Sequence, residues 1–219
     1  MTSSARNKEV MRELLSRHGQ TYAAEAGIRL KDTPQPLYRT LVLAHLLSAR
    51  IRASVAVATS RALYEAGLND PKRMTQATWQ QRVDALGQGG YRRYDERTAT
   101  QLGEGAQILI DRWAGDLRRM RERADGDADE LRRLLTELPG IGPVGADIFL
   151  REVQDAWPEF GPLVDSKALQ GAERLGLPPR ASELVRIADD ATTNASLASA
   201  LVRAALDKNV VADCLEHAG

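Results

Sequence analysis

The sequence predicts an all-α fold, because apolar residues recur at helical spacing along nearly the whole chain and the alternating pattern of half-buried strands is absent. The clearest periodic segment has leucines on one helix face: Leu131, Leu134, Leu135 and Leu138. Groups of Pro, Gly, Asp and Asn separate the periodic segments, which is typical of turns between helices. We therefore expect helices joined by short loops.

Proline and glycine breaks divide the N-terminal half into predicted helices. An amphipathic segment near His18 predicts the first helix, and the sequence TPQP at 33–36 marks the break after it. The next predicted elements are helices over 37–49, 55–66 and 76–86 and a glycine-rich loop over 87–90. One long helix is predicted over 94–120, with an adjustment near Gly103 and Gly105.

The C-terminal half is divided in the same way. Asp127 follows a turn and is the predicted N-cap of a helix over 128–137. Pro139 ends that helix, since proline lacks an N–H group, and Pro143 suits the first turn of the next one. Two or three further helices are predicted after Asp165. Their breaks are expected near 178–179 and 192–194.

The most informative stretch is LPGIGPVGAD at 138–147. Gly140 and Gly142 can take positive φ, which most residues reach only with strain, so residues 140–142 are predicted to form a tight turn between two helices. The first amides of the second helix then lack intrahelical partners, and such a helix start binds anions, including phosphate. A contact of this kind positions a protein on nucleic acid without reading its sequence. The alternative is an ordinary corner between helices, although the complete string favours contact with DNA.

Asp165 is the second candidate for a functional residue. It precedes a predicted helix through 168–175, and Asp is a favoured N-cap, so residue type alone favours a capping role. A carboxylate beside a sugar also stabilises the positive charge that develops when a glycosidic bond breaks, or it activates water. The two roles are compatible, because a cap residue lies exposed at a helix start.

The hairpin and Asp165 together resemble the helix-hairpin-helix DNA glycosylase superfamily, which includes endonuclease III, over roughly residues 33–177. Two weaker matches occur in the same order. LAHLLSAR at 43–50 is similar to the family's LLSAQ helix, and LGQGGYRRY at 86–94 is similar to its glycine-aromatic turn. VDSK at 164–167 matches the family's VDTH step, whose Asp is the catalytic acid.

The resemblance implies two helical lobes with a DNA-binding cleft between them. Residues 33–154 correspond to a helical barrel lobe that carries the hairpin, and 1–32 with 155–219 correspond to the second lobe. Asp165 is the implied catalytic residue. The implied DNA contacts are Gly140, Ile141, Gly142, Val144, Gly145, Lys167 and Arg50.

The chain also departs from the family. Members that cleave the strand carry a lysine where this chain has Val144, and valine forms no Schiff base, so no ordinary AP-lyase step is expected. Many members hold an iron–sulfur cluster with four cysteines, whereas Cys214 is the single cysteine here, so no cluster is expected. Arg50 replaces the glutamine of LLSAQ, and Lys167 replaces the histidine of VDTH. The stretch from the hairpin to Asp165 is longer than the family's typical one.

Several of these residues have alternative roles. Tyr91 and Val144 are the candidates for a base pocket, and Tyr91 either stacks on an unstacked base or belongs to the core. Arg50 either fills the gap left by a flipped base or is a surface residue at a helix end. Lys167 contacts phosphate or solvent, with a displaced Schiff-base amine as a further alternative. His45 is expected in the core or on a helix surface, and no spacing of residues predicts a metal site.

Composition bounds the function. The chain has 219 residues, of which 43% are hydrophobic, enough for one large domain or two small lobes. Basic and acidic side chains number 30 each, so binding to DNA requires arginines segregated on one face. No signal peptide or membrane span is visible, and a single cysteine fits a reducing compartment. We expect a cytoplasmic, nucleoid-associated monomer.

The sequence therefore predicts a base-excision DNA repair protein. Its predicted activity is that of a DNA glycosylase, a hydrolase that cleaves the N-glycosidic bond of a damaged or mismatched base in double-stranded DNA without a cofactor. The alternative is a non-catalytic helix-hairpin-helix protein that binds DNA and has lost the glycosylase activity.

Overall fold

The structure is a computed structural model that describes residues 3–188 and 192–218. All regular elements in these ranges are helices, which confirms the predicted all-α class. The chain divides into two compact units, 23–156 and 1–22 with 157–219. Residues 23–32 thus group with the middle of the chain, whereas the sequence assigned them to the lobe of the two termini.

The central unit contains nine helices in its described residues, the first of which begins at the boundary of the unit. These are α2 (Tyr22–Glu25), α3 (Pro34–Ser48), α4 (Ala53–Glu65), α5 (Pro71–Gln76), α6 (Trp79–Gln88), α7 (Asp95–Trp113), α8 (Arg118–Ala124), α9 (Ala128–Thr136) and α10 (Pro143–Val153). Helix α3 is buried along most of its length, and α10 packs on it. This pairing places the start of α10 beside the C-terminal end of α3.

The predicted long helix over 94–120 is wrong. The chain forms two helices there, because Ala114 and Gly115 take φ of 52° and 74° and so end α7 in the left-handed region. The Gly115 amide donates to the Leu109 carbonyl at 2.8 Å and closes this helix end. Gly103 and Gly105, where an adjustment was expected, lie inside a continuous α7.

The region predicted as one helix over 76–86 also differs. Helix α5 was missed, although Asp70 caps it and Pro71 occupies its first position. Helix α6 begins later than predicted, because Thr78 and Gln81 form a capping box. It continues into the predicted loop as far as Gln88.

The terminal unit contains α1 (Ser3–His18), a 3₁₀ turn (Pro158–Phe160), α11 (Ser166–Arg174), α12 (Ala181–Ala188), α13 (Asn194–Leu206) and α14 (Lys208–His217). Four helices therefore follow Asp165 in the described ranges, rather than two or three. The additional break has no proline or glycine: Asp207 ends α13 and caps α14 by accepting from the Asn209 amide.

A close approach of two backbones fixes α11 in this unit. A Cβ atom at Gly171 would lie 1.8 Å from the Leu201 carbonyl oxygen of α13, so only glycine allows this packing. Because Asp165 caps α11, the same contact helps to position Asp165.

Gly171→Ala is therefore expected to lower the free energy of unfolding by about 1–3 kcal/mol, the usual cost of overpacking. Urea unfolding measures this change. Gly87→Ala in α6 is the control, since no atom lies within 4 Å of a Cβ there, and it should be neutral or slightly stabilising. Equal stability of the two variants would contradict the packing argument.

Candidate functional site

The turn between α9 and α10 has the backbone geometry of a tight hairpin. Gly140 takes φ of 83°, and the Ile141 amide donates to the Leu138 carbonyl at 3.0 Å. Gly142 is the N-cap of α10 with an extended backbone, φ −90° and ψ −177°. The predicted tight turn is present, and it uses the left-handed region at Gly140 but not at Gly142.

Unpartnered amides remain at the start of α10. Among the described residues, the amides of Gly142, Val144 and Gly145 have no hydrogen-bond partner, and the helix's own bonding begins with the Ala146 amide, which donates to the Gly142 carbonyl at 3.0 Å. Gly142 is exposed, and Val144 is 62% exposed. The site can therefore bind an anion with backbone N–H groups.

Ile141 and Gly145 hold the hairpin in place rather than extending into solvent. The Ile141 side chain is buried, and its amide is already used inside the turn. A Cβ atom at Gly145 would lie 3.6 Å from both Ile141 Cγ2 and Ser48 Oγ, so α10 sits close to the end of α3. The exposed amides of the predicted set are those of Gly142 and Val144.

A cavity of about 640 Å³ adjoins the hairpin within the central unit. The predicted residues Arg50, Tyr91, Gly140, Ile141 and Gly142 all line it. Val144, the other base-pocket candidate, does not. The lining also includes His45, Tyr94, Arg97 and Gln101.

Two arginines at this cavity lack acidic partners. Arg50 and Arg97 are exposed, and in the described part of the chain neither forms a hydrogen bond or an ion pair. Other arginines in this unit are paired, for example Arg118 with Asp116 at 2.7 Å. Positive charge is therefore available at the cavity although the net charge of the chain is zero.

Tyr91 forms part of the cavity wall and of the core. Its side chain is 2% exposed, and its hydroxyl lies 3.1 Å from Thr98 Oγ1. Burial raises the pKa of Tyr91, so the phenol is protonated at neutral pH. Tyr94 is more accessible, and the Arg93 guanidinium lies 5.2 Å from the centre of its ring.

His45 was expected in the core or on a helix surface, and it is buried, with 7% of its surface exposed. Burial lowers the pKa of His45 to about 4, Arg97 lowers it further, and Gln101 acts in the opposite direction. Gln101 was not among the site residues predicted from the sequence. One helical turn separates it from Arg97 on α7, and this spacing is the signal that places both on one face.

Asp165 is the N-cap of α11, as its residue type predicts. Its Oδ1 atom accepts from the Ala168 amide at 2.9 Å, and the residue is partly buried. Lys167 is exposed, and its Nζ atom donates to Gln170 Oε1 at 3.0 Å within the same helix. The catalytic role of Asp165 and the phosphate contact of Lys167 stay predictions.

The residues present do not fit an iron–sulfur cluster. Cys214 is the single cysteine of the chain, it is buried, and burial raises the pKa of its thiol to about 11. Such a cluster needs several thiolates. Within 3–188 and 192–218, no group of three His, Cys, Asp or Glu could hold a metal ion. In the same ranges, no helix is long and apolar enough to cross a membrane.

Comparisons with known proteins identify the fold. No protein-family model and no curated protein sequence matches the chain. A solved structure of a trapped endonuclease III–DNA covalent intermediate, an estranged-adenine complex, is similar to it with a TM-score of 0.52 and 16% sequence identity. The similarity covers 93% of this chain and 86% of that one. The chain thus has an endonuclease III-like fold, which confirms at the level of fold the predicted resemblance to the helix-hairpin-helix DNA glycosylases.

Substitution by alanine should change the free energy of unfolding differently at the two hairpin glycines. Gly140→Ala is expected to cost about 1–3 kcal/mol, because the left-handed backbone disfavours alanine and the new Cβ would lie 2.2 Å from His45 Cε1. Gly142→Ala meets no atom within 4 Å and should change stability by less than about 0.5 kcal/mol. Urea unfolding of both variants checks this, and a large loss in Gly142→Ala would refute the described turn.

The buried imidazole should make stability depend on pH. Since folding lowers the pKa of His45 from 6.5 to about 4, the unfolded chain binds a proton first as pH falls. Unfolding free energy should therefore decrease from about pH 6.5 to pH 4, by up to about 3 kcal/mol from this group. His45→Leu, measured by urea unfolding at each pH, should show a shallower decrease. Parallel curves would show that His45 titrates normally.

Proposed function

We propose that this protein is a monofunctional DNA glycosylase, which releases a damaged or mismatched base from double-stranded DNA by hydrolysing its N-glycosidic bond. The observation that carries the proposal is the start of α10, where unpartnered amides adjoin a cavity with two unpaired arginines, in an endonuclease III-like fold. Anion-binding amides and guanidinium groups suit a phosphate backbone.

The hairpin supplies the grip on DNA. The exposed amides of Gly142 and Val144 donate to one phosphate, and the dipole of α10 adds attraction at the same point. Arg50 and Arg97 contact further phosphates, since their side chains have no competing carboxylate. Binding by these groups is independent of sequence and weakens as salt rises.

The cavity beside the hairpin receives the everted nucleotide. Its volume of about 640 Å³ lies within the range of about 300–1,000 Å³ that is usual for small-ligand sites. Tyr94 offers a partly exposed ring for stacking, whereas Tyr91 shapes the wall. Eversion of the base costs a few kcal/mol and is easiest at a mismatched or damaged pair.

Asp165 carries the chemistry. Its carboxylate stabilises the oxocarbenium-like sugar while the bond from C1′ to the base breaks, and the base leaves with that electron pair and takes up a proton. Water then adds to C1′ and loses a proton, which leaves an abasic site. The bond from the Ala168 amide to Oδ1 fixes the orientation of the carboxylate.

Strand cleavage is not part of the proposed reaction. Val144 has no amine with which to form a Schiff base with the abasic sugar. The product is an intact strand that breaks only under alkali.

A second candidate function is DNA binding without catalysis. The observation that favours it is the cap at α11. The hydrogen bond from the Ala168 amide gives Asp165 a role in helix stability, and this role requires no catalysis. A protein of this kind keeps the hairpin contacts and releases no base.

Asp165→Asn distinguishes the two functions. Asparagine caps a helix about as well as aspartate, so folding and DNA affinity should persist, while base release in single-turnover assays falls by at least about 100-fold. The substrates are duplexes with uracil, a thymine–guanine mismatch, 8-oxoguanine–adenine, an oxidised pyrimidine or an alkylated purine, each read with and without hot alkali.

Asp207→Asn is the matched control, because Asp207 also caps a helix of the same unit. It should release base at the wild-type rate. Equal activity of Asp165→Asn and wild type would refute the catalytic role, and strand breaks without alkali would refute the monofunctional reaction. DNA binding without release of any base would favour the second candidate.

A further inference from the structure

We propose that His45 and Gln101 are positioning residues of the hairpin, which hold the Gly140 turn and thereby aim the free amides of α10. This inference rests on the proposed function, since it concerns the same DNA contact. Neither side chain needs to touch DNA in this role.

The first support is direct contact with the turn. A Cβ atom at Gly140 would lie 2.2 Å from His45 Cε1, 2.4 Å from His45 Nε2 and 2.9 Å from Gln101 Oε1. The backbone of Gly140 therefore rests against both side chains at once. Any displacement of the imidazole changes the surface that supports the left-handed turn.

The second support is that polar atoms of both side chains lie against the same point of the turn. A Cβ atom at Gly140 would approach both His45 Nε2 and Gln101 Oε1, so a ring nitrogen and an amide oxygen lie on the same side of Gly140. In the proposed arrangement the neutral imidazole donates its Nε2–H to Gln101 Oε1 and so restrains the amide. The pair links α3 to α7 directly below the hairpin.

The third support is the position of His45 between two cavities. It lines the 640 Å³ cavity and also a cavity of about 20 Å³ enclosed with Gln101, Pro139 and Ile141. A neutral ring suits this place, because the guanidinium of Arg97 on α7 repels a charged one.

The test compares two substitutions at His45. Leucine has a similar volume but no donor, whereas the amide of glutamine can still donate to Gln101 Oε1. The dissociation constant is measured for a duplex with a stable abasic-site analogue, at pH 7.5 and low salt. We expect His45→Leu to weaken binding about tenfold and His45→Gln to stay within about threefold of wild type.

Thr40→Val is the matched control for stability. Thr40 is fully buried on the same helix, and its hydroxyl donates to the Pro36 carbonyl at 2.8 Å, away from the hairpin. It should lower the free energy of unfolding and leave the dissociation constant unchanged. Wild-type binding by folded His45→Leu would overturn the proposal, as would equal weakening in His45→Leu, His45→Gln and Thr40→Val.

A double-mutant cycle of unfolding free energies tests the contact between Gly140 and His45 without DNA. The cost of Gly140→Ala should be smaller in a His45→Ala background than in wild type, because the clash with the ring is gone. An equal cost would overturn the proposal. If wild type bound no duplex even at low salt, the proposed function would fail, and the cycle would still test the support of the turn.

Discussion

The left-handed backbone at Gly140 is the constraint on which the site depends. It reverses the chain after α9 in a few residues, so that α10 begins beside the end of α3 with unpartnered amides at its start. The turn is possible because Gly140 has no side chain where the His45 ring lies. Packing in the core and exposure of hydrogen-bond donors are thus two consequences of one turn.

Electrostatics at the site follow from pairing rather than from total charge. The chain carries 30 basic and 30 acidic side chains, and many arginines outside the cavity hold carboxylates on their own or neighbouring helices. Arg50 and Arg97 have no such partner in the described ranges. A chain without net charge can in this way present a local surface that attracts phosphate. Its attraction for DNA at long range is weak, because the net charge is zero.

Local signals made the hairpin and the caps predictable from sequence. Pro139, Gly140 and Pro143 each restrict the backbone within a few residues, and Asp127 and Asp165 cap helices through bonds to the next turn. The break at Ala114 was missed because alanine favours helix, although Gly115 directly after it is the kind of residue that commonly ends one. Contacts distant in sequence, such as Gly140 on His45 and Gln101, follow from how α3, α7 and the hairpin pack together.

The central claim is that backbone amides at the start of α10 bind a DNA phosphate. Its most direct test is a titration of ¹⁵N-labelled protein with a short duplex containing an abasic-site analogue, followed by the amide resonances. We predict that the resonances of Gly142 and Val144 shift most and that the shifts disappear at high salt. Shifts elsewhere, with these two amides unchanged at saturation, would contradict the account.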